Sequence, residues 1–186
     1  MEDNREYRQQ LVSEYKVELM PLLAYLPWFM SHSGKAASKN YEGNEIEGHT
    51  ISFPVYDSTV LNFVKLASKT GFMDKNYRYV FTRHHLTNHD AERKAIEKAG
   101  IEEWNVLCGI LSKYVLGGYT KGTLWNEAVV ENIFTMVLEQ MKSIVEYWDV
   151  PITVEDGTHQ TISQEEAWKQ AAEEVLRKKA EEAKNQ

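Results

Sequence analysis

Three imidazoles and a carboxylate crowd into one short stretch, Arg83-His84-His85-Leu86-Thr87-Asn88-His89-Asp90. Imidazole nitrogens and carboxylate oxygens suit zinc or another borderline metal, and a metal-bound hydroxide would bring hydrolysis within reach. His84, His85, His89 and Asp90 are therefore the candidate ligands of a metal-dependent hydrolase. A structural zinc site, however, wants four ligands at set spacings, and no cysteine pair or second histidine cluster completes the set. His89-Asp90 also suggests a metal phosphohydrolase, but the distant His and Asp such a site needs cannot be identified. The competing reading is a polar turn in which Asn88 or His89 opens a helix, and it is the one favoured.

Other candidates divide the same way. Tyr77, Arg78, Tyr79, Phe81 and Arg83 alternate aromatic and basic character, as a stacking platform for single-stranded nucleic acid does. A half-buried aromatic strand face packed on helices explains the same pattern, and the net negative charge of the chain favours it. Cys108 lies among Leu107, Ile110 and Leu111 with no histidine beside it, which describes an inert buried thiol rather than a nucleophile. Glu127 and Glu131 stack one helical turn apart, and Glu139 and Glu146 continue the acidity. Such carboxylates can work as acid and base or form a solvated face that meets a partner, and the second reading is favoured. The glycines at 117, 118 and 122 and the pair Gly34-Lys35 do not match the phosphate-loop pattern, and no cofactor is expected.

The whole chain bounds these options. A net charge of −7 over 186 residues disfavours general binding to a nucleic-acid backbone, which needs surplus Lys and Arg. It favours a basic protein partner. The single cysteine allows no internal disulfide and fits a reducing cytosol. No charged-then-apolar leader pattern and no run of about 18 apolar residues is visible, so the expectation is a cytoplasmic chain without membrane contact. The sequence leaves the oligomeric state open.

Positioning these residues falls to a series of amphipathic segments. In Thr123–Trp148 the residues Val130, Ile133, Phe134, Val137, Leu138, Met141, Ile144, Val145 and Trp148 recur at helical spacing, predicting one helix of roughly 39 Å around which the others pack. A first helix should run to about Phe29 and bend near Pro21. Residues 31–49 are polar and read as a long connection, either a functional loop or a disordered or loosely packed one, the latter favoured. Thr50–Tyr56 and Tyr77–Thr82 look extended and could pair as a ribbon. Asp57 or Ser58 and Asn88 or Thr87 are helix caps, a helix over about 102–116 ends at Gly117-Gly118, and residues 151–162 form a linker. Ser163 and Glu166 then make a capping box that opens an amphipathic helix over 163–186, carrying Trp168, Ala172, Val175 and Leu176.

The order of these pieces resembles a bacterial and phage family, the domain of unknown function 6508. The matching residues are Leu22-Leu23-Ala24-Tyr25-Leu26-Pro27-Trp28-Phe29, then Phe53-Pro54-Val55-Tyr56-Asp57 leading to Leu61-Asn62-Phe63-Val64, and Ile110-Leu111 through Gly122. Together they span about 19 to 142. The family's turn of the type Arg-Gly-acid-Arg-Phe-x-x-Gly corresponds here to Val115-Leu116-Gly117-Gly118-Tyr119-Thr120-Lys121-Gly122. The aromatic and the last glycine are kept while both arginines and the acid are absent. The resemblance implies a fold and no activity.

The expectation is thus a mainly α protein: a 1–150 domain of about five or six helices around 123–148, at most a small two-stranded β-ribbon, and a C-terminal helix. Its expected role is that of a non-catalytic acidic interaction or regulatory protein. Glu127, Glu131, Glu139, Glu146 and Trp168 would engage another protein, one concrete form being a phage-type inhibitor of a nucleic-acid-binding host enzyme.

Overall fold

The computed structural model describes residues 5–42 and 52–149; the expected linker, the C-terminal helix and Trp168 lie outside them. Among the described residues the chain is mainly α, with eight helices and one two-stranded antiparallel sheet. The helices are α1 (Arg5–Leu23), α2 (Leu26–Ser31), α3 (Ser58–Ala67), α4 (Tyr77–Arg83), α5 (His89–Lys98), α6 (Trp104–Gly118), α7 (Thr123–Val130) and α8 (Ile133–Trp148). A single 3-10 turn, Ile101–Glu103, leads into α6. No described helix is long and apolar enough to cross a membrane.

The caps read from sequence hold. The Asp57 carboxylate accepts from the Thr59 amide at 2.8 Å and the Asn88 side chain from the Ala91 amide at 2.9 Å, each satisfying a donor that the first helical turn leaves free. Pro21 sits inside α1, which ends two residues later, and α2 resumes after Ala24-Tyr25.

Three elements differ from expectation. The stretch 123–148 is helical but broken: Asn132 adopts a left-handed backbone (φ 60°, ψ 18°) between α7 and α8, a conformation that asparagine tolerates better than most residues. The apolar spacing survives the break, and Ile133, Phe134, Val137, Leu138, Met141, Ile144 and Val145 are all buried. Tyr77–Arg83 is a helix rather than a strand. Val80 from its inner side packs on α6, where a Cβ at Gly109 would come within 2.7 Å of the Val80 side chain, so the bare glycine lets the two helices approach. The ribbon exists, but its strands are β1 (Ser38–Glu42), inside the stretch read as a loop, and β2 (Ser52–Tyr56), paired from Ser38↔Tyr56 to Glu42↔Ser52.

The ribbon is tied to the start of α7, where the Ala37 amide donates to Asn126 Oδ1 at 2.8 Å and the Tyr56 hydroxyl donates to the Gly122 carbonyl. The middle of the domain is shared between α8 and α6. Helix α6 is buried nearly all round, as a helix covered on every side must be apolar throughout. Phe29, Phe63, Phe134 and Tyr114 form a ring cluster at the centre, edge-to-face except for the tilted Phe29–Phe134 pair. Each such ring contributes about 1.5–3 kcal/mol by leaving water.

Candidate functional site

The turn after α4 and the first turn of α5 carry the residues that the sequence brings nearest to chemistry, and the fold sends them in different directions. His84 and His85 stay exposed just past the end of α4, His85 in a left-handed turn (φ 52°). His89, in the first turn of α5, is half-buried instead, and its Nε2 donates to Glu127 Oε1 at 2.8 Å, with Glu131 Oε2 at 3.7 Å from Nδ1. Asp90 points outward to Arg93 at 2.8 Å, and that guanidinium holds its carboxyl below the usual carboxylate range. The four candidate ligands therefore do not converge. Among the described residues, no three His, Cys, Asp or Glu side chains are grouped so as to hold a metal ion.

The same pairs change the reading of the acidic residues. Glu127 and Glu131 are not a free solvated stripe; they are partners of α5. Arg93 donates to Glu131 Oε2 at 2.8 Å and to the Glu131 backbone carbonyl at 3.3 Å. That carbonyl lies at the C-terminus of α7, where the helix break leaves acceptors unused and a cation is favoured by the helix dipole. Glu146 pairs with Lys142 at 3.6 Å, and Glu139 is exposed.

Sequence reasoning missed the charged centre of this region. Glu92, one turn into α5, is only 1% exposed. It is held by Lys113 Nζ at 2.6 Å on Oε1 and by the Tyr114 hydroxyl at 2.6 Å on Oε2. Lys113 also lies 4.7 Å from the Phe81 ring centroid and 4.6 Å from that of Tyr114. Burial, then the hydrogen bond to Glu92, pushes the Tyr114 hydroxyl far above its ordinary pKa, and the charges of Glu92, Glu127 and Glu131 add to this. The available signal was Glu92 on the apolar side of α5, four residues before Ile96. Every charge here has a near partner, and Glu92 is satisfied at both oxygens. The arrangement locks α5 to α6 and to the α7–α8 break.

The N-terminal end of α6 is open. A cleft of about 520 Å³ lies between α1, the Gly71–Asp74 turn and the start of α6, bordered by Tyr15, Phe72, Trp104, Asp74, Glu102 and Cys108. Tyr15 stacks on Trp104 at 4.3 Å with planes 3° apart, and Phe72 meets both rings edge-on. Ile101 and Glu102 are shared with a second cleft of about 420 Å³, whose further walls include Arg8, Tyr147 and Trp148. Tyr147 is 72% exposed and Glu102 68%. Burial pushes the Cys108 thiol up to about 12, with the Asp74 and Glu18 carboxylates adding to the effect. The thiol is thus the inert group its neighbours in sequence suggest.

Neither a family model, nor a curated protein, nor a solved structure matches this chain.

Proposed function

We propose that this chain is a non-catalytic interaction protein that engages a basic protein partner through the face where the two clefts adjoin. The observation that supports it is the join itself: two open clefts share Ile101 and Glu102, with aromatic walls and carboxylate rims, on a chain of net charge −7. Exposed rings beside unburied carboxylates suit a docking face whose partner brings positive charge. A protein whose own groove normally holds nucleic-acid phosphates meets that description, and inhibition of such a protein is the form we favour. Against an enzymatic role stand the pairing of His89 and Asp90 with Glu127 and Arg93, and the burial of Glu92 and Cys108.

The test is capture on the immobilised full chain followed by reconstitution with the purified captured protein. Charge-led docking requires the affinity to fall steeply, on the order of tenfold or more, as salt rises from low to physiological concentration. An affinity that ignores salt would remove the reading. So would one equivalent of transition metal in the purified protein, lost in a His85→Ala, His89→Ala variant, which would favour the metal-dependent hydrolase instead.

A further inference from the structure

We infer that the Tyr15–Phe72–Trp104 cleft receives an arginine side chain of the partner, stacked against Tyr15 and paired with Asp74 or Glu102. This assigns a site and a ligand chemistry to the proposed function and rests on it for the source of the arginine.

The molecule contains a worked instance of this recognition one wall away. In the adjoining cleft, the guanidinium of Arg8 lies 5.0 Å from the Trp148 ring centroid and donates to Glu102 Oε1 at 2.6 Å. An aromatic face and a carboxylate thus hold one planar cation between them, as both attractions favour. The larger cleft offers the same two components. All three rings line the cleft; Phe72 and Trp104 are almost fully buried, while Tyr15 is half-buried and the most exposed of them. Asp74 and Glu102 stand at the rim, and the bordering residues include no Lys or Arg.

The field in the cleft has the matching sign. Burial is the first cause of the raised Cys108 thiol and Tyr15 hydroxyl, and the carboxylates add to it in the sense that favours positive charge nearby: Asp74 and Glu18 act on Cys108, and Glu14 on Tyr15. Glu18 lies alongside, accepting from the Gly71 amide. A volume of about 520 Å³ exceeds one side chain and leaves room for flanking main chain, for which the exposed Asn105 amide on the wall is a hydrogen-bonding partner. Arginine fits better than lysine because its plane stacks and its fork pairs at once.

The experiment is NMR titration of the full chain with a short single-arginine peptide amide and its lysine counterpart, in the parent protein and in Tyr15→Leu and Asp74→Asn. Asparagine at 74 can still accept from the Asn76 amide, as Asp74 does at 2.7 Å, so that variant keeps the turn. Shifts are expected to concentrate in residues 71–74 and 101–108, with the lysine peptide weaker and each variant weakening the arginine peptide about three- to fivefold. Shifts spread over the acidic surface, or equal affinities in parent and variants, would overturn the inference. A captured basic partner whose affinity is unchanged in both variants would overturn it as well while leaving the interaction role intact. An arginine peptide seated in the cleft, with only salt-insensitive partners captured, would do the reverse.

Discussion

The two ends of α6 handle charge in opposite ways. Towards its C-terminus, Lys113 and Tyr114 close on Glu92, and the neighbouring Glu127 and Glu131 are taken up by His89 and Arg93. Towards its N-terminus, Trp104 and Cys108 border a cleft whose rim carries the half-buried Asp74 and the exposed, Arg8-paired Glu102 beside an aromatic stack. A carboxylate deep inside the fold must be neutralised by partners, because leaving it alone would cost several kcal/mol. A carboxylate at a rim keeps part of its water, so the fold depends far less on the partner it has. The sealed end therefore bears on stability and the open end on the recognition proposed above, and substitutions should separate the two.

The largest effect is expected at the sealed end. Glu92→Ala leaves Lys113 and the buried Tyr114 hydroxyl without their acceptor and should destabilise the protein by about 3 kcal/mol or more, measured as a lower urea midpoint. A loss under about 1 kcal/mol would mean that Lys113 simply turns out to water, and that this end is less closed than its geometry.

Raising the pH tests both ends together. Tyr114 at the sealed end and Cys108 at the open end have folded pKa values above their ordinary ones, with burial as the first cause of each. Groups raised in this way stabilise the fold fully below their unfolded pKa, and that stability is lost as pH rises through the folded value. Stability should therefore hold up to about pH 9, the ordinary thiol value, and decline above it. Cys108→Ala should blunt the start of that decline while Tyr114→Phe removes its later part. Midpoints flat from pH 8 to beyond 10 would contradict the burial of both groups.

Arg93→Ala sits between the extremes. It removes the cation from the Glu131 carboxylate and carbonyl and from Asp90, but Arg93 and Glu131 are about one-third exposed and Asp90 mostly so. A loss of about 1 kcal/mol is expected, shrinking in high salt. A salt-independent loss would place the effect in packing of the arginine stem instead.

What the sequence made legible follows the range of each interaction. The Asp57 and Asn88 caps act over two or three residues, so residue type alone places them. The buried side of α8 is likewise a local periodicity. The break at Asn132 was hidden because Val130 and Ile133 carry the apolar spacing straight across it. Helix α4 departs from the strand that Tyr77, Tyr79, Val80 and Phe81 suit by composition because the deciding contact, Val80 against Gly109, lies almost thirty residues away. Strand β1 has no alternation to read; its order comes from β2 and the start of α7. In the candidate site, each half of the pairs His89–Glu127 and Glu92–Tyr114 is unremarkable alone, separated by 38 and 22 residues, and only the fold joins them.

The smallest expected effect carries the most information about function. Glu102 accepts from Arg8 at 2.6 Å, and counting ion pairs would make Glu102→Gln costly. The pair is exposed on the glutamate side, so water and salt already compete for it, and its loss should change stability by less than about 0.5 kcal/mol. Recognition is another matter, because Glu102 belongs to both clefts and its removal weakens the rim on either side of Ile101. A variant as stable as the parent but several-fold weaker towards a basic partner would separate the two ends of α6 cleanly. A variant that unfolds more readily yet binds as before would assign Glu102 to the scaffold and count against the proposed role of the open end.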